Sequence, residues 1–289
     1  MPAGGRPTVR SRRLGAALRR YRQAAKFDQS QAAEVIASST AKISRIETGH
    51  VSARVIDVRL LLDAYGVDDA KVRSRLEELA KGSNKRGWWL EHAAHLRPDY
   101  LDHIALEDDA TYIREWQPVL IPGLLQTAAY AEASITAGPN YVDPERVAQL
   151  VKVRQARQAQ IESGGTSYAV IIWEPVILHP LLNSQIHREQ LSTILDVAGR
   201  QNVTIQVLPF TAGVLAGTTS AFSSFSFDSD PAVEAVTMEN LRGTSVLEDP
   251  EDLSAYTNAF DLLRSAALGP DESTRLIRRV LRSSEEDAK

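Results

Sequence analysis

The sequence predicts an α+β protein in two parts: an all-α bundle of five short helices over residues 1–82 and a larger mixed α+β domain over residues 83–289. Three observations predict this. Apolar residues recur at helical spacing, with capping residues between the runs, as far as about residue 80. Short apolar runs rich in β-branched and aromatic residues begin only after residue 110. Charge is uneven: residues 1–60 hold 12 Lys or Arg against 4 Asp or Glu, a net of +8, and the rest holds 21 against 33, a net of −12.

A length of 289 residues suggests about two domains, and 43% hydrophobic with 24% charged residues is ordinary for soluble globular protein. No apolar run approaches the roughly 18–20 residues of a membrane span. The start, MPAGGRPTVRSRR, is charged, but no apolar stretch follows it, so it does not read as a secretory signal and a cytoplasmic protein is expected. The absence of cysteine excludes disulfides, thiolate zinc sites and a cysteine nucleophile. A basic head on an acidic body suits contact with a polyanion; a merely solvated basic face is the alternative.

The segment before Leu14, rich in Gly, Pro and Arg (Arg6, Arg10, Arg12, Arg13), reads as a flexible basic arm of the kind that can enter a minor groove. Residues 12–25 place Leu14, Ala17, Leu18, Tyr21 and Ala25 on one helical face. Residues 29–36 make a second helix, and 37–39 a turn. Ser39 can cap a third helix, which Gly49 can end in a left-handed conformation. In that helix Ile43 and Ile46 point one way, Lys42 and Arg45 the other. Ser52 is expected to cap a fourth helix with Val55, Val58, Leu61, Leu62 and Tyr65 inward. Asp68 or Asp69 starts a fifth, with Val72, Leu76 and Leu79 inward.

The polar stretch KGSNKRG, 81–87, marks the domain boundary. Beyond it, 88–110 reads as helical with Pro98 interrupting, and TYIREW as a short strand. Pro122-Gly123 favours a turn with positive φ at the glycine. Helices are expected from Leu124 to Ala133, over 143–161, over 184–199 and over 250–283. Strands are expected at 168–174, 202–210, 220–227 and 232–238. The order lacks a regular βαβ repeat, which favours α+β over a doubly wound sheet.

Residues 14–67, through LGAALRRYRQAAKFDQSQAA, KISRIETG and DVRLLLDAYGV, resemble the helix-turn-helix module of XRE-type regulators. The resemblance implies that the third helix enters the major groove of double-stranded DNA. Ser39, Thr40, Ala41, Lys42, Ser44 and Arg45 can then face outward. By position in the motif, Thr40, Ala41 and Arg45 fall where the family contacts bases, and Gln29 where it clamps a phosphate. Arg45 could bond a guanine in two places, and Lys42 is read as a phosphate ligand. The same resemblance pairs Arg22 with Glu47 as a brace for the reading helix.

The remainder resembles the uncharacterised C-terminal domain joined to such modules in actinobacteria, as in WhiJ-like developmental regulators. The matching residues are GWW at 87–89, IPGLLQTAAYAEA at 121–133, EPVI at 174–177, REQL at 188–191 and NVTIQVLPFTAG at 202–213. It implies a regulator on the nucleoid, as a homodimer, often paired with a small partner protein encoded nearby. Trp88, Trp89, Trp116, Leu124, Leu125 and Tyr130 are candidates for a ligand or partner surface.

No catalytic pattern emerges: there is no GxSxG, P-loop or GxGxxG, and Glu115 and Glu174 pair only if the fold joins them. His92, His95, Asp99, Asp102 and His103 cluster in sequence, but Pro98 divides them and no HExxH is present, so neither a metal nor a cofactor is expected. The sequence therefore predicts a DNA-binding regulator signalled by protein contact. A small-molecule sensor, with a pocket lined by Trp88, Trp89, Tyr112, Trp116 or Trp173, and an antitoxin-like adaptor with autoregulatory DNA binding are the alternatives.

Overall fold

The computed structural model describes residues 8–82, 87–139, 141–162, 164–180, 183–217, 219–227, 232–240 and 242–286. The chain forms two compact units, Met1–Trp88 and Trp89–Lys289. Most of the 81–87 break lies outside the described residues. Among the described residues, no helix is long and apolar enough to cross a membrane.

The first unit is all helical: α1 (Val9–Ala24), α2 (Gln29–Val35), α3 (Thr40–Glu47), α4 (Val55–Ala64) and α5 (Ala70–Gly82). Leu14, Leu18, Ile43, Ile46, Val58, Leu61, Leu62 and Leu76 meet in its core. The expected arm is shorter than its composition suggests. Thr8 accepts a hydrogen bond from Ser11 N at 3.1 Å and starts α1, so Arg10, Arg12 and Arg13 are helical, and Val9 and Arg13 are buried. Arg6 lies outside the described residues. Ser52 does not cap α4. Arg54 occupies the cap position without a side-chain cap bond, because its guanidinium turns to Asp57 in the first helical turn.

The second unit is built on a six-stranded sheet of order β3-β2-β1-β4-β5-β6. Its strands are β1 (Tyr112–Gln117), β2 (Ser167–Trp173), β3 (Val203–Leu208), β4 (Phe222–Ser226), β5 (Ala235–Asn240) and β6 (Gly243–Leu247). β1, β2 and β3 run parallel with β2 in the middle, Trp116 opposite Ile171 and Ile171 opposite Gln206. β4, β5 and β6 continue from the other edge of β1 as an antiparallel series. Parallel neighbours need crossovers. These are supplied by α7 (Ala128–Thr136) with α8 (Pro144–Glu162), then by α9 (Glu174–Leu178) with α10 (Ser184–Val197). Half of the sheet is thus a local β-α-β-α-β run, which the sequence reading did not see. The antiparallel half keeps the whole in the α+β class.

Side chains alternate across the sheet. Trp116, Ile171, Phe222 and Val236 form one core with Phe260 and Leu263 of α11 (Pro250–Ala266). Glu115, on the opposite face, lies within reach of Arg157 of α8. A single helix over 250–283 does not form. Leu268 N bonds to Val207 O at 2.9 Å and breaks the run into α11 and α12 (Pro270–Glu286). Gly123 does not take a positive φ. Pro122 (φ −53°) leads instead into a short 3-10 turn, Gly123–Leu125. A Cβ on Gly123 would meet the Arg157 guanidinium at 3.4 Å.

Candidate nucleic-acid interface

The reading helix is set by local chemistry at both ends. Asp28 caps α2 reciprocally with Gln31, at 2.8 and 2.9 Å. Ala37, with φ of 48°, turns the chain, and Ser39 accepts from Lys42 N at 3.2 Å to start α3. Gly49 closes the turn after α3 at φ 76°. Gly15 allows α1 to cross α3 closely: a Cβ there would collide with Ile46 O, and with Glu47 O at 2.7 Å.

Ile43 and Ile46 are buried, whereas Ser39, Thr40, Ala41 and Arg45 are exposed along one side of α3. Lys42 and Ser44 are half-buried at its edge. Only the exposed four are open to base edges as they stand. Ala41 can meet a thymine methyl, and Arg45 can donate to guanine in two places.

The helix is held from below. Arg22 Nε meets Glu47 Oε1 at 2.6 Å and Arg22 Nη2 meets Oε2 at 3.1 Å, with Arg22 Nη1 donating to Phe27 O at 2.7 Å. Their side chains are 9% and 4% exposed, so this is a buried, bidentate pair joining α1 to the end of α3. The Glu47 hydrogen bond raises the Arg22 pKa further, against the opposing effect of burial.

Two residues expected to touch phosphate are engaged inside the protein. The Gln29 amide donates to Glu47 Oε2 at 3.0 Å, which draws the start of α2 onto the same brace. Lys42 Nζ lies 3.1 Å from Asp57 Oδ2. Asp57 is buried and also takes Arg54 Nη2 at 2.7 Å and Nε at 3.1 Å. Burial works against its ionisation, but the bonds from Arg54 and Lys42 outweigh it and hold its carboxyl below the usual range. The sequence reading missed this Asp57 hub. An acidic residue in the first turn of α4, three after an arginine, was the available signal.

The candidate partner surface in the second unit is largely not a surface. Trp89, Trp116, Leu124, Leu125 and Tyr130 are all buried, and Trp88 is half-buried. Trp116 packs between β4 and α11 and donates Nε1 to Thr219 O at 2.9 Å. The Tyr130 hydroxyl accepts from Ile121 N at 3.2 Å. The apolar character of IPGLLQTAAYAEA is therefore that of core. Tyr112 and Trp173 are half-buried and lie against Arg114 and Phe210.

Glu115 and Glu174 are engaged separately. Glu115 Oε2 accepts from the Tyr168 hydroxyl at 2.5 Å, and Glu174 Oε2 accepts from Phe210 N at 2.6 Å. In α6 (Pro98–Asp109), Asp99 accepts from Arg97 at 2.8 Å and Thr244 N at 2.5 Å. His103 lies buried 2.9 Å from Thr237 Oγ1 and 3.1 Å from Arg157 Nη2.

A family model described as a domain of unknown function (DUF5753) matches residues 100–279. The chain belongs to the DUF5753 family. The DUF5753 match covers the sheet and most of its helices. Residues 13–74 match a helix-turn-helix domain, spanning the brace and the exposed side of α3. No curated protein and no solved structure matches the chain. This DUF5753 protein is a helix-turn-helix DNA-binding regulator.

Proposed function

We propose that the regulator reads a specific operator through α3, as a homodimer on the nucleoid of an actinobacterial cytoplasm, and that its DUF5753 domain receives a signal by binding a small protein. Its work in this reading is recognition, without catalysis. The observation that carries the DNA half is the exposed row Ser39, Thr40, Ala41 and Arg45 on a helix whose far end is fixed by a buried ion pair. Rigid placement of a few side chains is what base readout needs. The protein-contact half rests on the resemblance; Val119, Phe210 and Leu262, at 64%, 67% and 60% exposure, are apolar side chains open to a partner.

Fluorescence anisotropy on a selected operator tests the DNA half across salt concentrations. If each subunit neutralises about 3–5 phosphates, affinity falls on the order of a thousandfold between about 50 and 200 mM salt. A salt-independent affinity would remove the proposed phosphate contacts. Light scattering of the full chain, alone and with the product of the adjacent reading frame, tests dimer and partner.

A further inference from the structure

The order of the sheet makes β1 a switch point. The chain leaves β1 toward β2 on one side, and after β3 it returns to β4 on the other side of β1. In open parallel sheets, crevices at the carboxyl ends of strands beside such a reversal take up ligands; here β4 is antiparallel, so the carboxyl end of β1 meets the amino end of β4. A cavity of about 120 Å³ opens there, lined among others by Glu115, Gln126, Arg154, Arg157 and Ser223.

Its two arginines sit one turn apart on α8 and are partnered differently. Arg157 is neutralised by Glu107, with bonds of 2.9 and 2.7 Å, and also donates to the Tyr100 hydroxyl at 2.5 Å. Among the described residues Arg154 meets neutral acceptors alone, Gln126 Oε1 at 2.7 Å and Ser134 Oγ at 3.5 Å. Its Nε is buried with no hydrogen-bond partner. The guanidinium as a whole is only half-buried, so an arriving anion can add a charge-assisted bond on its open side.

The surroundings hold Arg154 in place for such a ligand. Gln126 cannot swing aside freely, because its Nε2 donates to Ile121 O at 2.6 Å and its carbonyl accepts from Gln155 at 3.1 Å and Gln158 at 2.5 Å. Among the described residues Glu115 makes no ion pair with Arg154; its carboxyl is taken up by the Tyr168 hydroxyl and the Gln117 amide. Burial pushes its carboxyl up, although Tyr168 and Gln117 hydrogen-bond to it. Glu239, exposed at the rim, contributes its charge to Arg157.

We propose that this cavity binds a small organic anion, a carboxylate or a phosphate, whose charged end docks on Arg154 and whose polar body faces Glu115 and Ser223. The site is independent of the DNA contacts. It gives the DUF5753 domain a second input, beside the protein contact proposed above, at a place quite different from the tryptophan-lined pocket that the sequence suggested.

The test is thermal unfolding of the full chain, followed by tryptophan fluorescence, at constant ionic strength. The probes are inorganic phosphate and succinate at 20 mM, with glycerol and ethanolamine as neutral and cationic controls. At least one anion is expected to raise the melting temperature by about 4 °C, and the controls not at all. A rise with phosphate alone or succinate alone supports the site and names the ligand class. Arg154→Met leaves the buried Gln126 Oε1 without its donor, so it should melt somewhat lower than the parent, and it should show no anion-dependent rise. If that variant does not fold, Arg154→Lys keeps the charge but loses the planar fork that can take an anion through two bonds, and should lose more than half of the rise. No rise with either anion, or an undiminished rise in the variant, overturns the assignment.

Discussion

Glu47→Gln isolates the charge of the brace with little change in shape. In the parent, Glu47 takes two bonds from Arg22 and one from Gln29, all with little access to water. The amide keeps one acceptor oxygen. It leaves the Arg22 guanidinium with Phe27 O and a neutral partner, in a site that is 9% exposed. Breaking a buried pair from one side costs about 3–5 kcal/mol. A domain of this size has a stability of about 4–12 kcal/mol at typical per-residue values. The loss is therefore a large fraction of the total, equivalent to a fall of about 12–24 °C in melting temperature at the low end of the range. Hydrogen exchange resolved by peptide on the full chain reads it locally: amides of α1 and α3 should exchange more than a hundredfold faster. The double variant Arg22→Met/Glu47→Leu removes both charges and should recover most of the loss. A single variant costing under about 1 kcal/mol, comparable to an exposed pair, would refute the reasoning. So would a double variant as unstable as the two single changes summed.

Arg45→Ala should lower affinity by about 1–3 kcal/mol for the best operator and flatten preference at one base position, measured by binding to a library of single-base variants. Lys42→Ala should lower affinity for any sequence by less than Arg45→Ala does, because Asp57 already holds its ammonium, and should leave the fold within about 1 kcal/mol of the parent, because Asp57 keeps Arg54; an equal loss of base preference in both variants would remove Arg45 from the readers. In the DUF5753 unit, burial opposes ionisation of Glu107, but Arg157 and His103 outweigh it and bring its pKa to about 2. A depressed acid contributes stability above its unfolded pKa and loses it as pH falls, so denaturant midpoints for this unit should drop between about pH 4.5 and 2, by about 3 kcal/mol in all. Glu107→Gln should abolish that part of the acid dependence; a retained slope would place it on other groups.

The N-terminal bundle was legible because its information is local. Ser39, Gly49 and the Ile43–Ile46 spacing specify α3 within ten residues or so, and the Arg22–Glu47 pair followed from resemblance. Positions whose role depends on a distant partner were not legible. Lys42 looks like a free cation until Asp57 arrives beside it from α4. Gln29 looks like a phosphate clamp until Glu47 claims its amide. Leu124, Leu125 and Tyr130 look like excess apolar surface until the second unit closes over them. β6 was missed because its strand, GTSVL, is partly exposed and shows no apolar alternation. Sheet order was beyond reach for a related reason: residues 112–117 read as a strand, but nothing local says that they pair with both 167–172 and 222–226. The cavity beside β1 inherits that obscurity, since its walls come from separate segments.

The central position of β1 also has a consequence for how the chain is made. Thr111, at its edge, bonds to Ser226, 115 residues further on, so β1 leaves the ribosome long before its second neighbour exists. Until then it is a half-paired strand with an open edge and an unburied Trp116, the state in which chains associate wrongly. The helical bundle has no such delay: even a tie between its ends, from Arg10 to Gly82, closes within 72 residues. During synthesis the DNA-binding half is therefore complete while the other half still waits for its strands. A nascent regulator can acquire its grip on DNA before it acquires the domain that governs it, and chaperone demand should concentrate in the interval between β1 and β4.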